Sequence, residues 1–161
     1  MGDYLMLKIN LITIGDIKEK YLKDAIAEYT KRLSRFCELK IVELKETIAT
    51  DNSNKSIEQA LMKDAKNIEK YLKGHIVTLC VEGKMWSSED MANNIRNIAN
   101  YYSEISFVIG ASNGLHDSIK QRANDKISFS KMTFPHQLMR VIFLEQLYRS
   151  FTIINNISYH K

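Results

Sequence analysis

Short runs rich in Ile, Leu and Val alternate with longer segments of helical periodicity along the whole chain. Residues 7–14 read as a buried strand: Leu7, Ile9, Leu11, Ile12 and Ile14 are apolar, and Gly15 closes the run. In residues 17–35, Tyr21, Leu22, Ala25, Ile26, Tyr29 and Leu33 recur at helical spacing with lysine and glutamate between them. The alternation continues. Strands are expected at 39–44, 75–81, 105–109 and 127–130, and helices at 56–74, 87–102, 117–123 and from Pro135 onward. Parallel strands need long crossovers, which helices supply. The pattern therefore predicts an α/β fold with a largely parallel sheet, in one domain spanning 1–161. Residues 1–5 precede the pattern and are expected to be a dispensable extension, with Met6 a candidate start.

Local signals set the expected boundaries. Ser56 and Gln59 have capping-box spacing, and Gly74 suits a helix end. Glu82-Gly83-Lys84 is expected to turn the chain, and Ser87 or Ser88 to cap the next helix. Pro135 is expected in the first turn of the last helix. There Leu138, Met139, Ile142, Phe143, Leu147 and Phe151 form an amphipathic pattern.

Composition narrows the function classes. The formal charge of +4 is a mild excess that favours a polyanionic partner only weakly. Cys37 and Cys80 have no CxxC partner and no metal-like spacing to histidine, so no metal is expected. Cys80 lies in an apolar run and is expected to be a buried small hydrophobe. No apolar stretch approaches the roughly 20 residues that span a bilayer, and the first residues lack a signal-peptide pattern. A cytoplasmic protein without a membrane partner is expected.

In an open parallel sheet, ligands bind beyond the carboxyl ends of the strands. Three segments fall there: 79–84, 110–114 and 130–136. The turn Gly110-Ala-Ser-Asn-Gly114 fits neither the dinucleotide fingerprint nor the phosphate loop, so it is a ligand turn or a plain strand-to-helix connection. In the loop 128–136, main-chain groups could bond an adenine edge, with Phe129, Met132 and Phe134 as an apolar slot. The same residues would also serve an ordinary connection with core aromatics. His136 and Arg140, four apart, share one helix face suited to phosphate, or to plain solvation. The terminal Tyr159-His160-Lys161 combines stacking, hydrogen bonding and charge, as RNA contact requires, or is a frayed end. No serine–histidine–acid order stands out, so a hydrolase has little support.

Five segments together carry a family resemblance. They are Lys18-Glu-Lys-Tyr21, Glu82-Gly-Lys-Met-Trp-Ser-Ser-Glu89, Phe107-Val-Ile-Gly-Ala-Ser-Asn-Gly114, Ser128-Phe-Ser-Lys-Met-Thr-Phe-Pro-His-Gln-Leu-Met-Arg140 and Tyr159-His-Lys161. Over 7–161 the chain resembles the SPOUT-class ribosomal RNA methyltransferases, and among them the small large-subunit methyltransferase H family. The resemblance implies a parallel α/β sheet with a C-terminal trefoil knot, a rare exception to the rule against threading. It implies a homodimer that uses S-adenosylmethionine to methylate N3 of a pseudouridine in a hairpin of 23S rRNA on the assembled ribosome. Cofactor contacts would fall on Leu79, Gly110 and the loop Phe129, Ser130, Lys131, Met132, Thr133 and Phe134. The substrate side would involve His136 and Arg140, with Tyr159, His160 and Lys161 completing the partner subunit's site. His160, Tyr159 and His136 are candidates to take the N3 proton. Ala111 stands where the family often has glycine, and Asp16 where it often has lysine, which removes one basic RNA contact. Two rivals are a SPOUT enzyme acting on another rRNA or tRNA position, and a silent ribosome-binding factor. A flavodoxin-like nucleotide binder is a third.

Overall fold

A computed structural model describes residues 6–161; the expected extension at 1–5 lies outside the described residues. The element order is β1 (Lys8–Ile14), α1 (Lys20–Leu33), β2 (Glu38–Leu44), α2 (Asn54–Glu69), β3 (His75–Met85), α3 (Ser88–Ala99), β4 (Glu104–Ile109), α4 (Asp117–Arg122), β5 (Asp125–Ser128) and α5 (His136–Ile154). The strands form one sheet in the order β2-β1-β4-β3-β5, with every pairing parallel. Every strand-to-strand connection therefore carries a helix, as the alternation required.

Both faces of the sheet are covered, so the strands read as continuous apolar runs. On one face, Ile9, Leu11, Val77, Phe107 and Ile127 pack with Leu33, Ile95, Phe143, Leu144 and Leu147 from α1, α3 and α5. On the other, Ile12, Ile14 and Val108 meet Ala65 and Ile68 of α2 and Ile119 of α4. The two-residue period of β1 sends Ile9 and Leu11 one way and Ile12 and Ile14 the other. Burial pushes the Cys37 thiol up to about 12, so it acts as a small core group. Among the described residues no helix is long and apolar enough to cross a membrane.

Several expectations need correction. α2 is capped by Ser53, whose hydroxyl accepts from the Ser56 backbone N–H, so the Ser56–Gln59 capping box does not form. Ser56 is buried instead and accepts from the N–H groups of Thr50 and Asp51, which pins the preceding loop. Pro135 sits at the N-cap of α5, one residue ahead of the first turn. α5 is not simply amphipathic, because it lies between α1 and α3 and buries Phe143, Leu144, Leu147, Ser150, Phe151 and Thr152 around its girth. Glu82-Gly83-Lys84 is strand, not turn.

That last difference shapes the molecule. Leu79 and Lys84 both pair with Ile127, so residues 80–83 bulge out of the β3–β5 ladder. Gly83 makes the bulge feasible: a Cβ there would stand 2.4 Å from the backbone carbon of Ile127. Only a residue without Cβ lets the two backbones approach so closely. Gly83→Ala is expected to destabilise by about 2 kcal/mol, lowering Tm by roughly 4–8 °C in a chain of this size. Thermal denaturation checks this; an unchanged Tm would show that the bulge relaxes freely.

Candidate active site

The three loops at the carboxyl ends of β3, β4 and β5 converge on one crevice of about 660 Å³. That volume lies within the roughly 300–1,000 Å³ of small-molecule sites. The β3 bulge brings Cys80, Val81 and Glu82 to its wall, the β4 turn contributes residues 110–115, and the loop after β5 contributes Phe129, Ser130, Met132, Thr133 and Phe134. Leu79, Ile109 and Met139 complete an apolar lining. Of the expected cofactor residues, Lys131 alone is off this wall; it is exposed.

Each wall is held from behind. Phe129 stacks on Phe143 of α5 at a centroid distance of 6.4 Å, which anchors the loop to the core. Ser128 Oγ donates to the Ser130 carbonyl (3.0 Å), and Ser130 Oγ accepts from the Met132 N–H (2.9 Å). These hydroxyls shape the loop itself, so contact with a ligand falls to main-chain groups. In the β4 turn the Gly114 N–H donates to the Ala111 carbonyl (2.9 Å). A Cβ on Gly110 would lie 2.4 Å from the Gly114 carbonyl oxygen, so the turn closes this tightly only with glycine there.

The rim carries one ion pair, Glu82 to Lys120 at 2.5 Å. The Lys120 hydrogen bond holds the Glu82 carboxyl below its usual range. Burial alone would lower Lys120, but Glu82 outweighs it and raises the ammonium. Cys80 is half-buried rather than buried as expected, because the bulge turns it toward the crevice. Burial, then the Glu82 charge, raises its thiol, which keeps it protonated at neutral pH.

His136 lines the crevice mouth, whereas Arg140, one turn on, faces away from it into α1, β1 and β2. The Arg140 side chain is 2% exposed. Its guanidinium donates to Glu43 Oε2 (2.9 Å) and to the carbonyls of Ile14 (2.8 Å) and Gly15 (2.7 Å). Burial lowers its pKa against the opposing pull of Glu43. The contact expected of a solvated face is thus made with the fold.

Within one chain the tail does not reach the crevice. Tyr159 donates its hydroxyl to Glu145 Oε1 (3.2 Å), packs edge-on against Tyr148 and lies under the Arg149 guanidinium. His160 contacts Glu89 Oε1 (2.8 Å) and Arg149 (3.3 Å), and Lys161 is exposed. Burial and the Glu145 charge raise the Tyr159 phenol. Tyr159 is therefore a poor proton acceptor where it lies.

The sequence that builds this crevice matches a known family. The family model described as "Predicted SPOUT methyltransferase" matches residues 7–160. The chain belongs to the SPOUT methyltransferase family. A ribosomal RNA large subunit methyltransferase H from Bacillus pumilus is 46% identical over 161 residues, covering 96% of this chain and all 100% of the relative. Another of the same description from Fusobacterium nucleatum is 48% identical over 156 residues, with the same 96% and 100% coverage. A solved structure described as a probable methylase family protein from Haemophilus influenzae Rd KW20 aligns with TM-score 0.54 over 95% of this chain and 70% of that one. At 14% identity, that likeness speaks for the fold alone.

In this SPOUT methyltransferase the residues named from sequence on the 79–84, 110–114 and 129–134 segments line one crevice, except Lys131. Sequence reading placed segment 79–84 at the crevice but missed Lys120 and Met139 on its walls, and Glu43 as the partner of Arg140. Gly83, between Glu82 and Lys84, reads locally as a turn, so no clear sequence signal marks the bulge. Nothing in the local sequence marks the Glu43–Arg140 pair, because 97 residues separate its members. Arg140→Ala would leave two enclosed carbonyls without a donor and is expected to cost about 3 kcal/mol, against about 1 for Glu43→Gln, which spares them. Urea denaturation of both variants measures the asymmetry. Equal losses would mean that the ion pair, not the carbonyl clamp, holds α5.

Proposed function

We propose that this protein methylates N3 of a pseudouridine in a 23S rRNA hairpin of the large ribosomal subunit, using S-adenosylmethionine and acting in the cytoplasm on the assembled ribosome. The observation that carries the reading is the single crevice made by Leu79, the Gly110–Gly114 turn and the loop through Phe134, in a SPOUT-family chain. The full-length relatives described as ribosomal RNA large subunit methyltransferase H support the substrate class. The family's C-terminal knot belongs to the same reading. It fits a chain that leaves edge strand β5 and returns through α5 between α1 and α3.

The crevice fits the cofactor in size and chemistry. Leu79, Ile109, Phe129 and Met139 give apolar walls for a flat ring, and the tight turns expose main-chain donors and acceptors at the rim. When bound, the cofactor supplies a methyl group on a sulfonium, which passes to N3 while the carbon–sulfur electron pair stays on sulfur. The protein's work is then placement and proton removal. His136, at the crevice mouth, is the proposed acceptor of the N3 proton. Tyr159, held protonated by burial and Glu145, is a contact rather than a base. The tail, 159–161, is proposed to serve the crevice of a second copy in a homodimer, since in its own chain it lies against α5 and α3.

The test incubates the protein with labelled S-adenosylmethionine and ribosomes lacking the modification, then maps the label by mass spectrometry of RNA fragments. Label on N3 of the hairpin pseudouridine is expected. Deletion of 159–161 is expected to keep cofactor binding and lose at least about 100-fold in turnover, the scale of general acid–base and positioning effects. Label on another RNA position would redirect the substrate. No label and no cofactor binding would leave a ribosome-binding factor.

A further inference from the structure

A second cavity, of about 790 Å³, opens on the α1 and α5 side of the sheet. Its floor is apolar: Leu11 and Ile41 from β1 and β2, flanked by Ile26 and Leu144. Its rim carries Lys18 and Lys23, both exposed and in no ion pair among the described residues, beside the exposed Asp16. Its wall is the Glu43–Arg140 pair. Arg140 keeps one enclosed donor there, its Nε–H, without an acceptor among the described residues.

The groove and the crevice share no lining residue, but one wall residue of each lies beside Gly15. A Cβ on Gly15 would lie 3.7 Å from His136 Nε2 and 3.8 Å from an Arg140 guanidinium nitrogen. Gly15, His136 and Arg140 therefore stand together between the two spaces, with His136 lining the crevice and Arg140 the groove. We propose that this groove receives the acceptor nucleotide of the RNA, its base over the Leu11–Ile41 floor and its flanking phosphates against Lys18 and Lys23. The inference rests on the methyltransferase reading above and supplies its substrate face.

The chemistry of the groove matches such an occupant. A nucleobase has an apolar face and a polar edge, and a site for it needs a flat apolar surface beside donors and acceptors. Glu43, half exposed, offers an acceptor to a ring N–H, and Arg140 behind it holds that carboxylate in place. Two lysines at the rim suit phosphates on either side of an extruded base. Seated there, the base has His136 at the boundary on the side from which the methyl group would come.

The test uses the full chain and unmodified ribosomes. Ala27→Trp fills the groove from an exposed position on α1, and Lys23→Glu reverses one rim charge. Lys66→Glu, exposed on α2 across the sheet, makes the same charge change elsewhere. Both groove variants are expected to bind S-adenosylmethionine as the parent does, in calorimetry, and to keep its sedimentation coefficient. Their kcat/KM on ribosomes should fall at least about tenfold, through KM for Lys23→Glu, while Lys66→Glu behaves as the parent. Retained methylation in Ala27→Trp would overturn the proposal. So would a loss that accompanies a changed oligomeric state, which would make the groove an interface for a second copy. Absence of methylation by the parent protein would instead defeat the methyltransferase reading, and this proposal with it.

Discussion

One buried guanidinium ties the functional end of this fold together. Arg140 reaches back from the first turns of α5 to the last carbonyls of β1 and to a carboxylate on β2, segments far from it in sequence. A buried cation is costly unless paired; three charge-assisted bonds, to Glu43 and two carbonyls, hold this one, and only its Nε–H goes without an acceptor among the described residues. Without this clamp the start of α5 would have little to fix it. Pro135 leaves the helix without a side-chain cap, and no acidic residue sits in its first turn. The position of His136 depends on the same clamp.

The second constraint is the β3 bulge. A regular β3–β5 ladder would run on past Leu79 and leave no recess beside β4. Four residues pushed out of register make the wall that carries Cys80 and Glu82, and Glu82 braces against Lys120 of α4. Backbone irregularity at a functional rim recurs in sheets for this reason. Opposite it, the loop after β5 is stiffened by its own serines and by Phe129 on Phe143. The crevice is thus largely formed before any ligand enters, which limits the ordering cost of binding.

The sequence made the layered α/β plan legible because strand and helix periods differ and both were clean here. The loop 128–136 was legible through its family likeness and through Pro135. The bulge was not, since Glu82-Gly83-Lys84 looks like a turn when only local propensity is weighed. Gly83 serves there for close backbone approach, not for chain reversal. The role of Arg140 was hidden for a different reason. Helical spacing pairs it with His136, but its partners lie on strands more than 90 residues away. Ser56 misled in the same way: the capping box is a local pattern, and a loop contact took its hydroxyl first. Long-range polar contacts and backbone irregularities are what periodicity cannot report.

The central claim is that the crevice at the ends of β3, β4 and β5 holds the methyl donor. It is tested most directly by photolabelling the protein with an azido derivative of S-adenosylmethionine and locating the attachment by mass spectrometry. The account predicts label within 79–85, 109–115 or 128–139, suppressed by excess S-adenosylmethionine. Suppressible label on α1 or β2 instead would place the donor in the neighbouring groove and contradict the account.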